Sequence, residues 1–201
     1  GSMWMGHEDV IRLCRELVIS DYSEAMISKA RENIGDHPNI TYKQIDIMDI
    51  PFEDDTFDAV IANMMLYHVP DINRGLNEVR RVLKSSGSFY CATFGIHGIM
   101  EYLSGLLSEY GVEDKTDKSF TLQNGASILD AVFTCVRRED YKDSLAVTDV
   151  NDLVNYIYSL QCMTSLSVLS RDVIRECLSL HMKDGILTVP KEYGMFIAKN
   201  Q

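Results

Sequence analysis

Leu17-Val18-Ile19-Ser20-Asp21 is an apolar run that ends in a carboxylate, and Tyr22-Ser23 leads from it into residues 24–33, whose apolar positions recur at helical spacing. A second run, 40–45, stops at Asp46. A third, Phe57-Asp58-Ala59-Val60-Ile61-Ala62-Asn63, follows the acidic turn Pro51-Phe52-Glu53-Asp54-Asp55-Thr56. Short apolar runs of this kind, bounded by turn residues and separated by a helix, read as strands of an α/β sheet. In an open parallel sheet ligands sit beyond the carboxyl ends of the strands, so Asp21, Asp46 and Asn63 are expected on one rim.

Downstream the alternation continues. Residues 64–71 form a loop whose Pro70 opens a helix over 71–83, with Leu76, Val79, Val82 and Leu83 on its inner face. Lys84-Ser85-Ser86-Gly87 reads as a turn, 88–94 as a strand, and 96–110 as a helix with Met100, Leu103, Leu106 and Leu107 inward. Strand and helix in alternation imply a parallel sheet covered on both faces. The charged stretch 111–119 lacks periodicity and reads as a linker. Beyond it come a strand over 133–138, an Asp-capped helix over 149–157 and a helix over 170–182. The tail reads as a hairpin, 186–189 and 193–198, joined by Pro190-Lys191-Glu192.

The middle of the chain, an acid, Pro-Phe, an acidic turn and Phe-Asp, resembles the class I S-adenosylmethionine-dependent methyltransferases, in particular their small-molecule branch. The resemblance implies an α/β, Rossmann-like methyltransferase sheet with helices on both faces and antiparallel C-terminal strands. Residues 84–87 stand where that family usually shows Pro-Gly-Gly, and two of those three are absent. The family also places a strand and a Gly-rich loop ahead of this block, because only glycine lets the backbone approach the methionine part of the cofactor. Here the twenty residues before Asp21 contain only Gly1 and Gly6. Gly1-Ser2 reads as a tag-cleavage scar before a start at Met3, Trp4-Met5-Gly6 as the stump of what came before, and 7–17 as the helix after the loop. The expectation is a single truncated domain, 1–201, incomplete at its N-terminus, with its first central strand absent. The strands ending at Asp21 and Asn63 must then pair directly, borrow a strand, or leave open edges, and a homodimer or strand-exchanged assembly is expected.

The resemblance also implies a cofactor site. Asp21 matches the acid that accepts from the ribose hydroxyls of S-adenosylmethionine, Asp46 the acid that meets the adenine amino group, and Ile47 the residue whose backbone N–H meets an adenine ring nitrogen. Tyr22 would cover the adenine face, and Asn63 closes the rim. Methyl transfer needs alignment of an acceptor and exclusion of water, with a base only where the acceptor must lose a proton. Tyr67 and His68 stand where they could take that proton; Met64, Met65 and Leu66 could line the acceptor pocket.

Composition bounds the rest. With 201 residues and 46% apolar content the chain can bury a sizeable core. No apolar stretch has the length of a membrane span and no signal pattern opens the chain, so the cytoplasm is the expected compartment. A net charge of −11 without a basic run argues against nucleic acid as partner and leaves a small-molecule acceptor. The five cysteines, Cys14, Cys91, Cys135, Cys162 and Cys177, form no CxxC pair and no metal site, and read as buried thiols. Two functions are compatible with this reading: a methyltransferase of small molecules, or a cofactor-free, truncated relative acting as an oligomeric binding module. The acceptor itself is not legible.

Overall fold

A computed structural model describes residues 8–160 and 169–200. Trp4, the scar at its start and Cys162 lie outside the described residues. In chain order the elements are α1 (Glu8–Leu13), β1 (Leu17–Asp21), α2 (Glu24–Ile34), β2 (Ile40–Gln44), β3 (Phe57–Asn63), a 3-10 turn (Leu66–His68), α3 (Ile72–Val82) and β4 (Leu83–Phe94). There follow α4 (Ile99–Leu106), a second 3-10 turn (Ser108–Tyr110), α5 (Gly125–Asp130), β5 (Cys135–Val147), α6 (Val150–Ser159), α7 (Arg171–Leu180) and β6 (Leu187–Lys199).

Helix starts follow the local chemistry. The Asp71 carboxylate accepts from the Arg74 amide at 3.0 Å, and Asp149 does the same for Asn151, so orphan N–H groups at α3 and α6 are satisfied by side chains. The apolar spacing of α3 places Leu76, Val79 and Val82 in full burial, with Leu83 beside them.

The strands form two sheets. One holds β1 and β2, parallel; the other has the order β3-β4-β6-β5, with β3 and β4 parallel and both pairings of β6 antiparallel. The α/β class and the antiparallel C-terminal strands are as expected, but the sheet is mixed. No described strand pairs with β1 on its other side or with β3 on its other side. Of the three outcomes open to these strands, the chain by itself takes the third, two unpaired edges. The backbone shows which groups they present. The Leu17 N–H donates to Asn39 and the Asp21 carbonyl accepts from Ile45, so by the two-residue alternation Val18 and Ser20 point their N–H and C=O away from β2. The Met64 N–H donates to Ala92 on the β4 side, so by the same alternation Ala59, Ile61 and Asn63 point their N–H and C=O away from β4. Ile61 on this edge strand is 46% exposed.

Two apolar cores result. The first lies between the larger sheet and the helices α3 and α5, with Leu76, Val79, Phe89, Cys91, Phe120 and Phe196 fully buried. The second joins α4, α6 and α7 to the far end of the β5–β6 ladder, around Leu103, Ile157, Ile174 and Val189. That far end is distinctive. β4 pairs with β6 only over residues 193–199, whereas β5 follows β6 along its whole length. The ladder therefore runs on beyond the carboxyl end of β4 and carries a helical cap past the rim.

Several expected boundaries move. The turn at 84–87 lies inside β4 as a bulge: Phe57 pairs with Leu83 but Ala59 pairs with Ser88, so three extra residues are taken up there. The helix expected over 96–110 is shorter, starting after Gly98 and breaking into a 3-10 turn at Ser108. The strand at 133–138 extends to Val147, and α5 had no counterpart in the sequence reading. The terminal hairpin is overturned. Residues 187–199 are one continuous strand whose antiparallel partner is β5, and Pro190-Lys191-Glu192 is not a turn. Pro190 is tolerated because β6 has already outrun β4 there, so its missing N–H costs no ladder bond on that side.

Candidate functional site at the carboxyl rim

Parallel pairing puts the ends of β1 and β2 together, and the Ile45 N–H donates to the Asp21 carbonyl at 3.0 Å. The chain then turns at Asp46, whose Oδ1 accepts from the Met48 amide at 2.8 Å and whose carbonyl accepts from Asp49. Asp21 and Asp46 thus share one rim. Asp21 also shapes the entry to α2: its Oδ1 accepts from the Ser23 amide at 3.0 Å. Tyr22 stands 74% exposed beside it, its carbonyl held by the Gln44 side chain. Ile47 is turned onto α3, where the space that a Cβ at Gly75 would use is 3.4 Å from its Cγ2.

The acidic turn earns its place through Arg81, a residue the sequence reading passed over. Its guanidinium binds Glu78 through both Nε and Nη2, at 2.8 Å each, and donates to the carbonyls of Ile50 and Phe52 and to Asp54. Glu78 in turn accepts from the Ile50 amide. The Arg81 hydrogen bond holds the Glu78 carboxyl below the ordinary carboxylate value. Loop 46–54 is thereby pinned to α3 in a fixed path.

Asn63 ends β3 and is exposed, and Met64 follows it with φ +53°, a left-handed conformation that costs a residue with a side chain about 1 kcal/mol. Strain of this kind at a strand end is common at sites of function. Tyr67 lies half-buried with its ring centroid 4.4 Å from that of His68 and 5.0 Å from that of Phe94. Burial pushes its hydroxyl pKa up, with Tyr193 adding to the shift. The Ser119 hydroxyl donates to the Tyr67 carbonyl, and the Asp117 carboxylate, held low by the Ser119 amide, lies where His68 also acts on it. Phe94, Tyr193 and Asp117 had not been singled out in the sequence; each reaches the rim from a distant element, so no local pattern announces it.

Among the described residues no group of three or more His, Cys, Asp or Glu could hold a metal ion, and no helix is long and apolar enough to cross a membrane. The cysteines correct one expectation. Cys91 is buried and its thiol is pushed up to about 12 by that burial, but Cys135 is exposed and Cys14 and Cys177 are only partly covered. Cys135 lies on an edge strand with a single partner, which leaves its side chain in water. A surface hollow of about 500 Å³ lies between α2 and β2, lined by Arg31, Glu32 and Tyr42 among others. A shallow, charged hollow on the outer flank is a poor match for a cofactor.

Fold and rim together define a Rossmann-like domain with acid-ended strands. Residues 5–91 match the family described as a methyltransferase domain. The chain is 35% identical over 78 residues to a demethylmenaquinone methyltransferase of Clavibacter sepedonicus, covering 39% of this chain and 32% of that protein. It is 36% identical over 81 residues to the ubiquinone/menaquinone biosynthesis C-methyltransferase UbiE of Rickettsia massiliae, with 39% and 33% covered. The chain thus spans about a third of the length of the curated relatives it matches. Among solved structures it is similar to the YcgJ protein of Bacillus subtilis, with TM-score 0.62, 18% identity, and 98% and 88% of the two chains covered. The cyclase SpnF shows the same fold at TM-score 0.53 and 16% identity, covering 96% of this chain and 71% of that one. Residues 5–91 are thus similar to a methyltransferase domain, and the cofactor this similarity implies is S-adenosylmethionine. The residues present fit its adenosine half, for which two carboxylates stand on one rim. For the methionine half, the described residues ahead of β1, 8–16, contain no glycine.

Proposed function

We propose that this protein transfers a methyl group from S-adenosylmethionine to a small-molecule acceptor, and that it does so in the cytoplasm. The reading is supported by the rim that Asp21 and Asp46 share and, separately, by the strained backbone at Met64 after β3. In this reading the Asp21 carboxylate accepts from the ribose hydroxyls, Asp46 from the adenine amino group, and the Ile47 N–H meets an adenine ring nitrogen, with Tyr22 over the ring face and Asn63 closing the far side. Bound S-adenosylmethionine supplies a methyl group already activated by its sulfonium. Tyr67 and His68 orient the acceptor and take its proton. The two relatives above are named for demethylmenaquinone and for ubiquinone and menaquinone biosynthesis, and we carry a quinone-type ring to this chain as the acceptor class. Calorimetric titration of the chain with S-adenosylhomocysteine is expected to give micromolar binding; no binding would contradict the reading.

A second reading has its own support in the unpaired edges of β1 and β3. We infer that the sheet is completed by a strand from a second copy, in a homodimer or strand-exchanged assembly, because several backbone groups without ladder partners each forgo about 1 kcal/mol. A chain that bound no cofactor would then serve as an oligomeric binding module. Light scattering should show a species heavier than one chain; a stable monomer at high concentration would sink the assembly.

A further inference from the structure

We propose that Glu192 is a positioning residue for the acceptor side of the rim, acting as a latch between the extended β5–β6 ladder and the loop that leaves β4. The inference rests on the methyl-transfer reading for what the rim binds, but its evidence is the network itself.

The loop after β4 presents three consecutive backbone N–H groups, and each has a partner in the latch. The Gly95 N–H donates to the Glu192 carbonyl at 2.8 Å, the Ile96 N–H to Gln123 Oε1 at 3.0 Å, and the His97 N–H to Glu192 Oε2 at 2.7 Å. Gln123 Nε2 closes the circuit by donating to Glu192 Oε1 at 2.8 Å. The site is built to receive that carboxylate: a Cβ at Gly95 would overlap it, and a Cβ at Gly98 would come within 3.1 Å of the Glu192 backbone nitrogen. One side chain thus ties together β6, the β4–α4 loop and the turn that precedes α5.

The consequence reaches the rim through the next residue. Tyr193 pairs directly with Phe94, whose ring meets Tyr67 at 5.0 Å. Directly opposed residues on antiparallel strands share a face, so Tyr67, Phe94 and Tyr193 form one aromatic wall beside His68. On the β4 side the ladder with β6 starts at Tyr193, preceded by the Gly95 N–H bond to the Glu192 carbonyl. The register of that wall therefore depends on what holds the ladder as it leaves the sheet, and the Glu192 bridge is the hold nearest to it.

The test compares two ligands of the full chain, S-adenosylhomocysteine for the cofactor side and 2-naphthol for the aromatic wall. Glu192→Ala is expected to weaken 2-naphthol by about tenfold while S-adenosylhomocysteine stays within about twofold. Glu192→Gln combined with Gln123→Glu exchanges the amide and the carboxylate, keeps every donor facing an acceptor, and should return 2-naphthol to within about threefold of the parent. Gln123→Ala cuts the same bridge from the other side and serves if Glu192→Ala does not fold. Unchanged 2-naphthol affinity in a folded latch variant, equal weakening of both ligands, no rescue by the exchange, or no uptake of 2-naphthol by the parent overturns the proposal. If the parent fails to bind S-adenosylhomocysteine while the 2-naphthol pattern holds, the methyl-transfer reading falls and the latch stands.

Discussion

Phe196→Ala is expected to lower stability by about 3–5 kcal/mol, a large part of the roughly 5–15 kcal/mol that holds a domain folded. The ring is fully buried on β6, 5.9 Å from the Phe120 ring, and lies between Cys91 of β4 and Arg138 of β5 in register. It also fills the space that Gly125 leaves: a Cβ there would fall 2.5 Å from Phe196 and 3.0 Å from Phe120. The start of α5 is therefore set by the aromatic pair, and the two positions are coupled. Gly125→Ala alone should destabilise by overpacking, and Gly125→Ala combined with Phe196→Leu should cost less than the sum of the single changes. Urea unfolding reads both effects. A loss below about 1 kcal/mol for Phe196→Ala would mean that the larger sheet is not the stabilising core.

Asp21→Ala is expected to weaken S-adenosylhomocysteine by about a hundredfold or more, since two hydrogen bonds to a charged acceptor contribute roughly 1.5–3 kcal/mol each. The same carboxylate holds the Ser23 amide at the start of α2, so alanine also loosens that turn. Asp21→Asn separates the two. Its amide oxygen can still accept from Ser23, while the charge and the second acceptor are gone. Calorimetry should then show weakened binding in both variants, with the helix content of Asp21→Asn unchanged by circular dichroism. Binding within about twofold of the parent in both variants would remove Asp21 from the site.

How much of this was legible in the sequence depends on where the information lay. β1, α2 and β3 stand where local pattern put them, because their apolar runs are short, continuous and closed by Asp21, Ser23 and Asn63. β5 was read at less than half its length. Its stretch from Arg137 to Ser144 is charged and mostly exposed, having a partner on one side only, so neither alternation nor apolar content marks it as strand. β6 was cut in two by Pro190, which breaks an interior strand but not one that has left its neighbour. The turns at Asp21 and Asp46 were legible because turn chemistry is local. Arg81 has one local partner, Glu78, but the loop groups it holds lie 27 to 31 residues away and the side-chain partners of Glu192 69 to 95, and only the folded chain brings them together.

The central claim is that one ligand meets the ends of β1, β2 and β3 at once. Amide chemical-shift mapping by NMR during titration with S-adenosylhomocysteine tests it most directly. The account predicts concerted, saturable shifts at Ser23, Ile47, Met48 and Met64, with a single affinity. Shifts confined to the hollow between α2 and β2, around Arg31 and Tyr42, or no shifts at saturating ligand, would contradict it.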